Sequence, residues 1–275
     1  MKLAIQHATL YTYDAPVRSS TQYIRLTPRE NSRQRILEWR IDTPIPATQT
    51  RDGYGNVLHV LTLDKPVSEI RIRAHGVVET RAPDGENESL SPSDAGFPAN
   101  SSLSPLVFRR ATPVTSVDKA LAKFAHGHRK HVGTLAGLRD LANAIADRMA
   151  IRPGDTGATI SAAEAFGEGA LSVRDQAHVF IACCRHLGIP ARFVSGYMHS
   201  AIVSTDGLIA GHAWAEAWVG DQWHSFDLAT NWARNRAHLA LAVGADYLDA
   251  CPIRGLRIGG GIETMLVQAR LSVSQ

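Results

Sequence analysis

The chain has 275 residues, 44% hydrophobic and 20% charged, a composition typical of globular proteins with a sizeable core. Its 29 basic and 26 acidic residues leave a formal net charge of only +3, so we expect no nucleic-acid partner. No apolar run approaches the length of a membrane span, and the N-terminus lacks the apolar segment of a secretory signal. We therefore expect no membrane association and a cytoplasmic location.

The first 80 residues show the pattern of β-strands separated by turns. Apolar and polar residues alternate over 37–42 and again over 70–75, the period of a half-buried sheet. Turn-forming residues cluster at 13–16 and 52–56. With no helical period between the strands, residues 1–80 are predicted to form an antiparallel β-sandwich.

Residues 81–105 are rich in Pro, Ser, Asp, Glu, Asn and Gly, which predicts a linker between two domains. Beyond it, the core domain is predicted over 106–275, and apolar residues at helical spacing over 138–149 indicate its first clear helix. Capping-box patterns then begin two more helices, at Ser161 with Glu164 and at Ser172 with Asp175. We expect the first of these to end at Gly167 and the second to run from Val173 to Gly188.

Three strand-like runs follow, at 191–199, 212–219 and 223–227, and the last two flank Gly220-Asp221. If Val219 pairs with Gln222 in this hairpin, His212 opposes Ala229 and Trp214 opposes Asp227. His212 and Asp227 then lie on one face as diagonal neighbours, about 7 Å apart at Cβ, which a hydrogen bond between the side chains can close. A general base and an orienting carboxylate would thus be in place.

The three cysteines, Cys183, Cys184 and Cys251, form no C-x-x-C pair, which argues against a zinc site or a disulfide framework. We expect Cys183 and Cys184 to be buried within the helix as small hydrophobic side chains. No metal and no cofactor are predicted.

The segments SAAEAF, RDQAHVFIACCRHLGIPARFVSGY, GHAWAEAWV and FDLATN resemble, in this order, the bacterial transglutaminase-like superfamily, which includes proteins assigned as cysteine peptidases. The β-rich first 80 residues and ADYLDACPIRG near the end are similar to further parts of the same family. The resemblance implies an α+β fold: the N-terminal β-domain, then a papain-like core with a helix packed on an antiparallel sheet.

The resemblance also implies which residues form the site. The family's base falls on His212, its orienting acid on Asp227, and its nucleophilic cysteine on the first residue of the Ser172-capped helix. That residue is Val173, because the sequence reads S-V-R-D-Q-A-H where the family has Cys two residues before Asp. A valine cannot form the thiolate that acyl transfer through cysteine requires. Asp175 and His178 match the same motif, and we expect them to be structural.

Two residues near the site have alternative interpretations. Ser172 is the nearest hydroxyl to the substituted position, and either caps the helix or replaces the missing nucleophile. Trp214 either packs in the core or forms part of a substrate-binding wall.

The sequence thus predicts a transglutaminase-like, cysteine-peptidase-like protein that is inactive in thiol acyl transfer and binds a peptide or protein amide ligand. One alternative is an active hydrolase using Ser172 or a water activated by His212. The other is a non-catalytic structural or assembly partner. The oligomeric state is not determined by any of these patterns.

Overall fold

A computed structural model describes residues 1–31, 33–81, 89–90, 103–151, 160–198, 208–209, 211–230 and 238–274. In this part of the chain the predicted α+β organisation is confirmed, with a β-rich N-terminal region followed by a core of helices packed on a sheet. Most of the predicted linker lies outside the described residues. None of the described helices has the length and apolar character to span a membrane.

The described strands are β1 (Lys2–Ile24), β2 (Gln34–Asp42), β3 (Thr48–Arg51), β4 (Val57–Leu63), β5 (Val67–Thr80), β6 (Ser89–Leu90), β7 (Ala150–Ile151), β8 (Ala170–Leu171), β9 (Ala191–Met198), β10 (Leu208–Ile209), β11 (His212–Val219), β12 (Gln222–Phe226), β13 (His238–Gly244), β14 (Ile253–Gly259) and β15 (Glu263–Ser274). The described α-helices are α1 (Lys119–Gly127), α2 (Leu135–Arg148), α3 (Ala162–Glu168), α4 (Val173–His186) and α5 (Tyr247–Ala250). Short 3-10 helices cover Pro105–Arg109 and Pro113–Thr115.

Strand β1 is the central strand of the N-terminal region, and its side chains alternate between buried and more exposed from Leu3 to Tyr13. Its first half pairs with β5 and β15, and its second half pairs with β4 and β14. The turn predicted at 13–16 is wrong, because β1 continues through it with a register shift between Thr12 and Val17. Pro16 has no N–H for a sheet ladder, which favours an irregularity at this point. The result is a single curled antiparallel sheet of eight strands.

The C-terminal strands β14 and β15 belong to this N-terminal sheet, although they lie within residues 106–275, which are predicted to form the core domain. Strand β15 pairs with β1 without interruption, from Tyr13 opposite Glu263 to Lys2 opposite Ser274. An unpaired edge of β1 would leave a row of backbone N–H and C=O groups without partners. The returning strands β14 and β15 supply hydrogen-bond partners for these groups.

The core sheet has the strand order β13-β9-β11-β12-β6, and helix α4 packs against β9 and β11. Helices α1, α2 and α3 also contact α4, so every residue from Asp175 to Arg185 is buried. The predicted start of α4 at Val173 is confirmed, as is the Ser161 capping box of α3. Helix α3 ends at Glu168 and is closed by Gly169 rather than by Gly167, because Gly169 adopts the left-handed conformation (φ 74°) that closes a helix.

Side-chain amides from the N-terminal region cover the exposed edge of β13. Gln34 donates to the carbonyl of Ala240 (2.8 Å) and accepts from its N–H (2.9 Å). Asn56 makes the same pair of bonds to Val243, at 2.7 and 2.9 Å. Each amide thus takes the place of one residue of a neighbouring strand and joins the two regions of the molecule.

Replacing Gln34 with Ala leaves the N–H and C=O of Ala240 without these partners. We expect Gln34→Ala to lower the free energy of unfolding by about 1–3 kcal/mol. Gln49→Ala on the exposed strand β3 is the control, and should change it by less than about 0.5 kcal/mol. Urea denaturation measures both, and equal stability of the two variants would contradict the bridging role of Gln34.

His178 on α4 is fully buried, and its Nε2 accepts the backbone N–H of Tyr247 at the start of α5 (3.1 Å). This bond supports the predicted structural role. Burial, with smaller contributions from Arg174 and Arg185, lowers the pKa of His178 from 6.5 to about 3. The imidazole is therefore neutral in the folded protein at neutral pH.

Because the pKa of His178 is lower in the folded than in the unfolded chain, its effect on stability appears only in acid. Above pH 6.5 the ring is neutral in both states; as the pH falls toward 3, the unfolded state binds the proton first and is favoured. His178→Gln keeps an acceptor for the N–H of Tyr247. The free energy of unfolding of this variant should fall by about 2 kcal/mol less than that of the wild type when the pH is lowered from 7.5 to 5. Urea denaturation at several pH values tests this, with the exposed His131→Gln as control. An unchanged pH dependence in His178→Gln would contradict it.

Candidate functional site

The hairpin of β11 and β12 forms in the predicted register, with Val219 opposite Gln222. Gly220 and Asp221 both have positive φ, 58° and 61°, which is the signature of a type I′ turn. The ladder stops at Ala215 opposite Phe226, so the predicted pairings of His212 and Trp214 with the second strand do not form. His212 instead pairs with Gly196 on β9.

His212 and Asp227 nevertheless meet as expected. Asp227 directly follows β12, and its Oδ2 lies 2.8 Å from Nε2 of His212. Both side chains are largely buried, with 8% of His212 and 6% of Asp227 exposed. The hydrogen bond joins an imidazole at the start of β11 to a carboxylate just after the end of β12.

A second histidine, His238, binds the same carboxylate oxygen and was not identified in the sequence. Its Nε2 lies 2.8 Å from Oδ2 of Asp227, and its side chain is 28% exposed. The Thr230 hydroxyl also donates to Oδ2 (2.9 Å), and the backbone N–H of Ala229 donates to Oδ1 (3.0 Å). The available signal was a histidine at the start of the apolar run 239–243, which forms most of strand β13.

These hydrogen bonds determine the ionisation of Asp227. Burial alone raises the pKa of this carboxyl, but the hydrogen bonds and charges of His212 and His238 outweigh it and hold the pKa well below its usual range. An ionised carboxylate only accepts hydrogen bonds, so Nε2 of each histidine carries the hydrogen. In a neutral His212, Nδ1 is then the nitrogen that can accept a proton, which suits a general base.

Trp214 packs beside the two histidines. Its ring centroid lies 5.0 Å from that of His238 and 6.1 Å from that of His212. Only 4% of the residue is exposed, and it packs with Val194 and Val243. This geometry supports the core-packing interpretation and leaves little of the indole surface for a substrate.

Val173 is the first residue of α4, the helix that packs on β11, where His212 is the first residue. Its side chain is partly buried against the hydrophobic core that contains α4. An isopropyl group in this place supplies no proton donor, acceptor or nucleophile.

Ser172 caps α4. Its hydroxyl accepts the backbone N–H of Asp175 (3.4 Å) and donates to Oδ2 of the same residue (2.5 Å). The Asp175 carboxylate in turn accepts the N–H of Ser172 (3.2 Å), which completes a capping box. The hydroxyl is thus engaged at the helix terminus, and its bonds favour the capping interpretation over the nucleophile.

All three cysteines are free and buried, as predicted for Cys183 and Cys184. Burial raises the pKa of Cys183 to about 12 and that of Cys184 well above its ordinary value. Sγ of Cys251 lies 3.3 Å from the hydroxyl of Tyr247 and 3.1 Å from the carbonyl of Ile253. None of these contacts joins a cysteine to His212, and the raised pKa values keep Cys183 and Cys184 protonated at neutral pH.

Known proteins share both regions of this chain. Residues 3–79 match the bacterial transglutaminase-like N-terminal region, and residues 122–228 match the transglutaminase-like superfamily. The chain is 32% identical over 276 residues to the uncharacterized protein ML0607 of Mycobacterium leprae, with 94% of each chain covered. It is 29% identical over 275 residues to the uncharacterized protein Rv2569c of Mycobacterium tuberculosis, covering 92% of this chain and 86% of that one.

A solved structure shares the fold. It is the crystal structure of "a Putative Cysteine Protease" from Cytophaga hutchinsonii, which matches with a TM-score of 0.73 at 21% identity over 100% of this chain and 92% of that one. The two family matches fall on the β-rich N-terminal region and on the core of helices and sheet. The chain belongs to the transglutaminase-like superfamily, with the bacterial N-terminal region of that family before the core.

Proposed function

We propose that this chain is a non-catalytic member of its superfamily with respect to thiol acyl transfer. It retains the base His212 and the orienting acid Asp227 but has Val173 at the position of the nucleophilic cysteine. The observations that carry the proposal are the 2.8 Å hydrogen bond between His212 and Asp227 and the valine that begins α4, the helix that packs on β11. Without a thiolate the acyl-enzyme cannot form, and removing the nucleophile from such a triad costs orders of magnitude in rate.

The role that remains for the site is binding of a peptide or protein amide group. An imidazole held by a buried carboxylate can exchange hydrogen bonds with an amide, and the start of α4 carries the partial positive charge that attracts a carbonyl oxygen. Buried packing holds both groups in place: Trp214 lies against the histidines, and α4 is buried from Asp175 to Arg185. We expect the wild-type protein to bind such a ligand without turning it over.

Restoring a thiol at the first residue of α4 tests this assignment. We expect the thiol introduced by Val173→Cys to have a lowered pKa, because it would lie at a helix N-terminus and beside His212. At pH 6, iodoacetamide should alkylate it about tenfold faster than the thiol of Lys123→Cys, which lies on the exposed side of α1. The wild-type protein gives the background, since its three cysteines are buried.

The double variant Val173→Cys/His212→Gln is the matched control, and its alkylation rate should fall to that of Lys123→Cys. Peptide-amide hydrolysis should be absent in the wild type, detectable in Val173→Cys and lost again in the double variant. A folded Val173→Cys protein that reacts no faster than Lys123→Cys would show that residue 173 is not the nucleophile position. Amide hydrolysis by the wild type would contradict the loss of catalysis.

The serine alternative makes a different prediction for Ser172. As a helix cap, Ser172→Ala should lower the free energy of unfolding by about 0.5–2 kcal/mol, and Ser172→Asn should retain most of the stability because Asn also caps helices. Urea denaturation measures this difference. A serine-directed fluorophosphonate should leave the wild-type protein unlabelled; labelling that is lost in Ser172→Asn would instead support a serine hydrolase.

A further inference from the structure

Three side chains of metal-binding type converge at the ends of the core strands. His212 begins β11, Asp227 follows β12 and His238 begins β13. Residues distant in sequence therefore meet where these strands begin or end. One ligand atom from each lies within 4.8 Å of the others, and both Nε2 atoms lie 2.8 Å from Oδ2 of Asp227. Neither an acyl-transfer base nor its orienting acid requires the second imidazole.

We propose that His212, Asp227 and His238 form a binding site for one divalent transition-metal ion of the zinc class. Two imidazoles and one carboxylate, with the remaining positions open to water, are the ligand set of mononuclear catalytic zinc sites. Imidazole nitrogens favour zinc, cobalt and nickel, whereas calcium and magnesium prefer sites made of oxygen atoms.

Both imidazoles would bind the ion through Nε2 and carry their hydrogen on Nδ1, so metal–ligand bonds would replace the two hydrogen bonds to Asp227. With metal–ligand bonds of about 2.0–2.1 Å, two ligand atoms 2.8 Å apart subtend an angle of about 86° at the metal. The two imidazole nitrogens must lie at most about 4.2 Å apart to share the ion. In this structure all three ligand atoms lie within 4.8 Å of one another. Rotation of the His238 ring can adjust this distance, since this side chain is the most exposed of the three at 28%.

The surroundings are also those of a metal site. Hydrogen bonds from Thr230 (2.9 Å) and from the N–H of Ala229 (3.0 Å) orient the Asp227 carboxylate, as outer partners do around metal ligands. Two of the three ligands belong to strands of the core sheet, which fixes their backbones. The exposure of His238 gives an ion a route of entry, whereas His212 and Asp227 are nearly closed off.

The metal site does not rest on the proposed function. It depends on His212, Asp227 and His238, while the loss of thiol chemistry depends on Val173. A failure of the Val173→Cys experiment therefore leaves the metal site intact, and a failure to bind metal leaves the assignment of Val173 intact.

Titration of the untagged, metal-free protein tests the site. Calorimetry with Zn²⁺ should show one equivalent bound, and His238→Gln should weaken the affinity at least tenfold. Thr230→Val, which removes only an outer hydrogen bond, should weaken it by a smaller factor. His126→Gln is the matched control, because the exposed His126 also has a histidine neighbour, His186, with ring centroids 4.9 Å apart. The affinity of this variant for Zn²⁺ should equal that of the wild type.

Cobalt(II) provides a second measurement that does not depend on any variant folding. The wild-type protein with one equivalent of Co²⁺ should show the visible d–d bands of nitrogen and oxygen ligation without a thiolate charge-transfer band, which excludes the cysteines as ligands. No stoichiometric binding, a thiolate band, equal affinity in a folded His238→Gln, or loss of binding in His126→Gln would each overturn the proposal.

Discussion

The carboxylate of Asp227 is a buried anion, and the arrangement of the site follows from the need to satisfy it. A buried charge is costly unless it is paired and hydrogen-bonded. Asp227 accepts bonds from His212 at the start of β11, from His238 at the start of β13, and from Thr230 and Ala229 directly after β12. One side chain thus connects the ends of three chain segments and gives both imidazoles a defined tautomer and orientation.

The hydrogen bonds around Asp227 and the bonds that fix the start of α4 are formed by different residues. Val173 begins a helix whose position is determined by its Ser172 cap and by burial from Asp175 to Arg185. Neither depends on the side chain at residue 173. His212 and Asp227 likewise keep their geometry through hydrogen bonds that do not involve α4. The position of α4 and the hydrogen bonds of His212 and Asp227 are therefore compatible with a valine at residue 173.

The two regions of the molecule are joined by the chain topology and by polar contacts. Strands β14 and β15 follow the core in sequence, yet pair with β1. Gln34 and Asn56 extend their amides onto the edge of β13, the strand that supplies His238. The N-terminal region consequently supports one wall of the site, although it contributes none of the described polar contacts to Asp227.

Local patterns in the sequence were sufficient for the elements whose causes are local. The capping residues Ser161 and Ser172 begin the helices that they predict, and the two-residue turn at Gly220-Asp221 sets the register that brings His212 to Asp227. The valine at the start of α4 needs no coordinates to be recognised. Tertiary structure decided what depends on distant partners: the continuation of β1 through 13–16, the return of the C-terminal strands to β1, and the place of His238. His238 lies beyond the hairpin in sequence, and only the pairing of β13 with β9 brings its ring to the shared carboxylate, because no local spacing rule relates residues held together by a sheet.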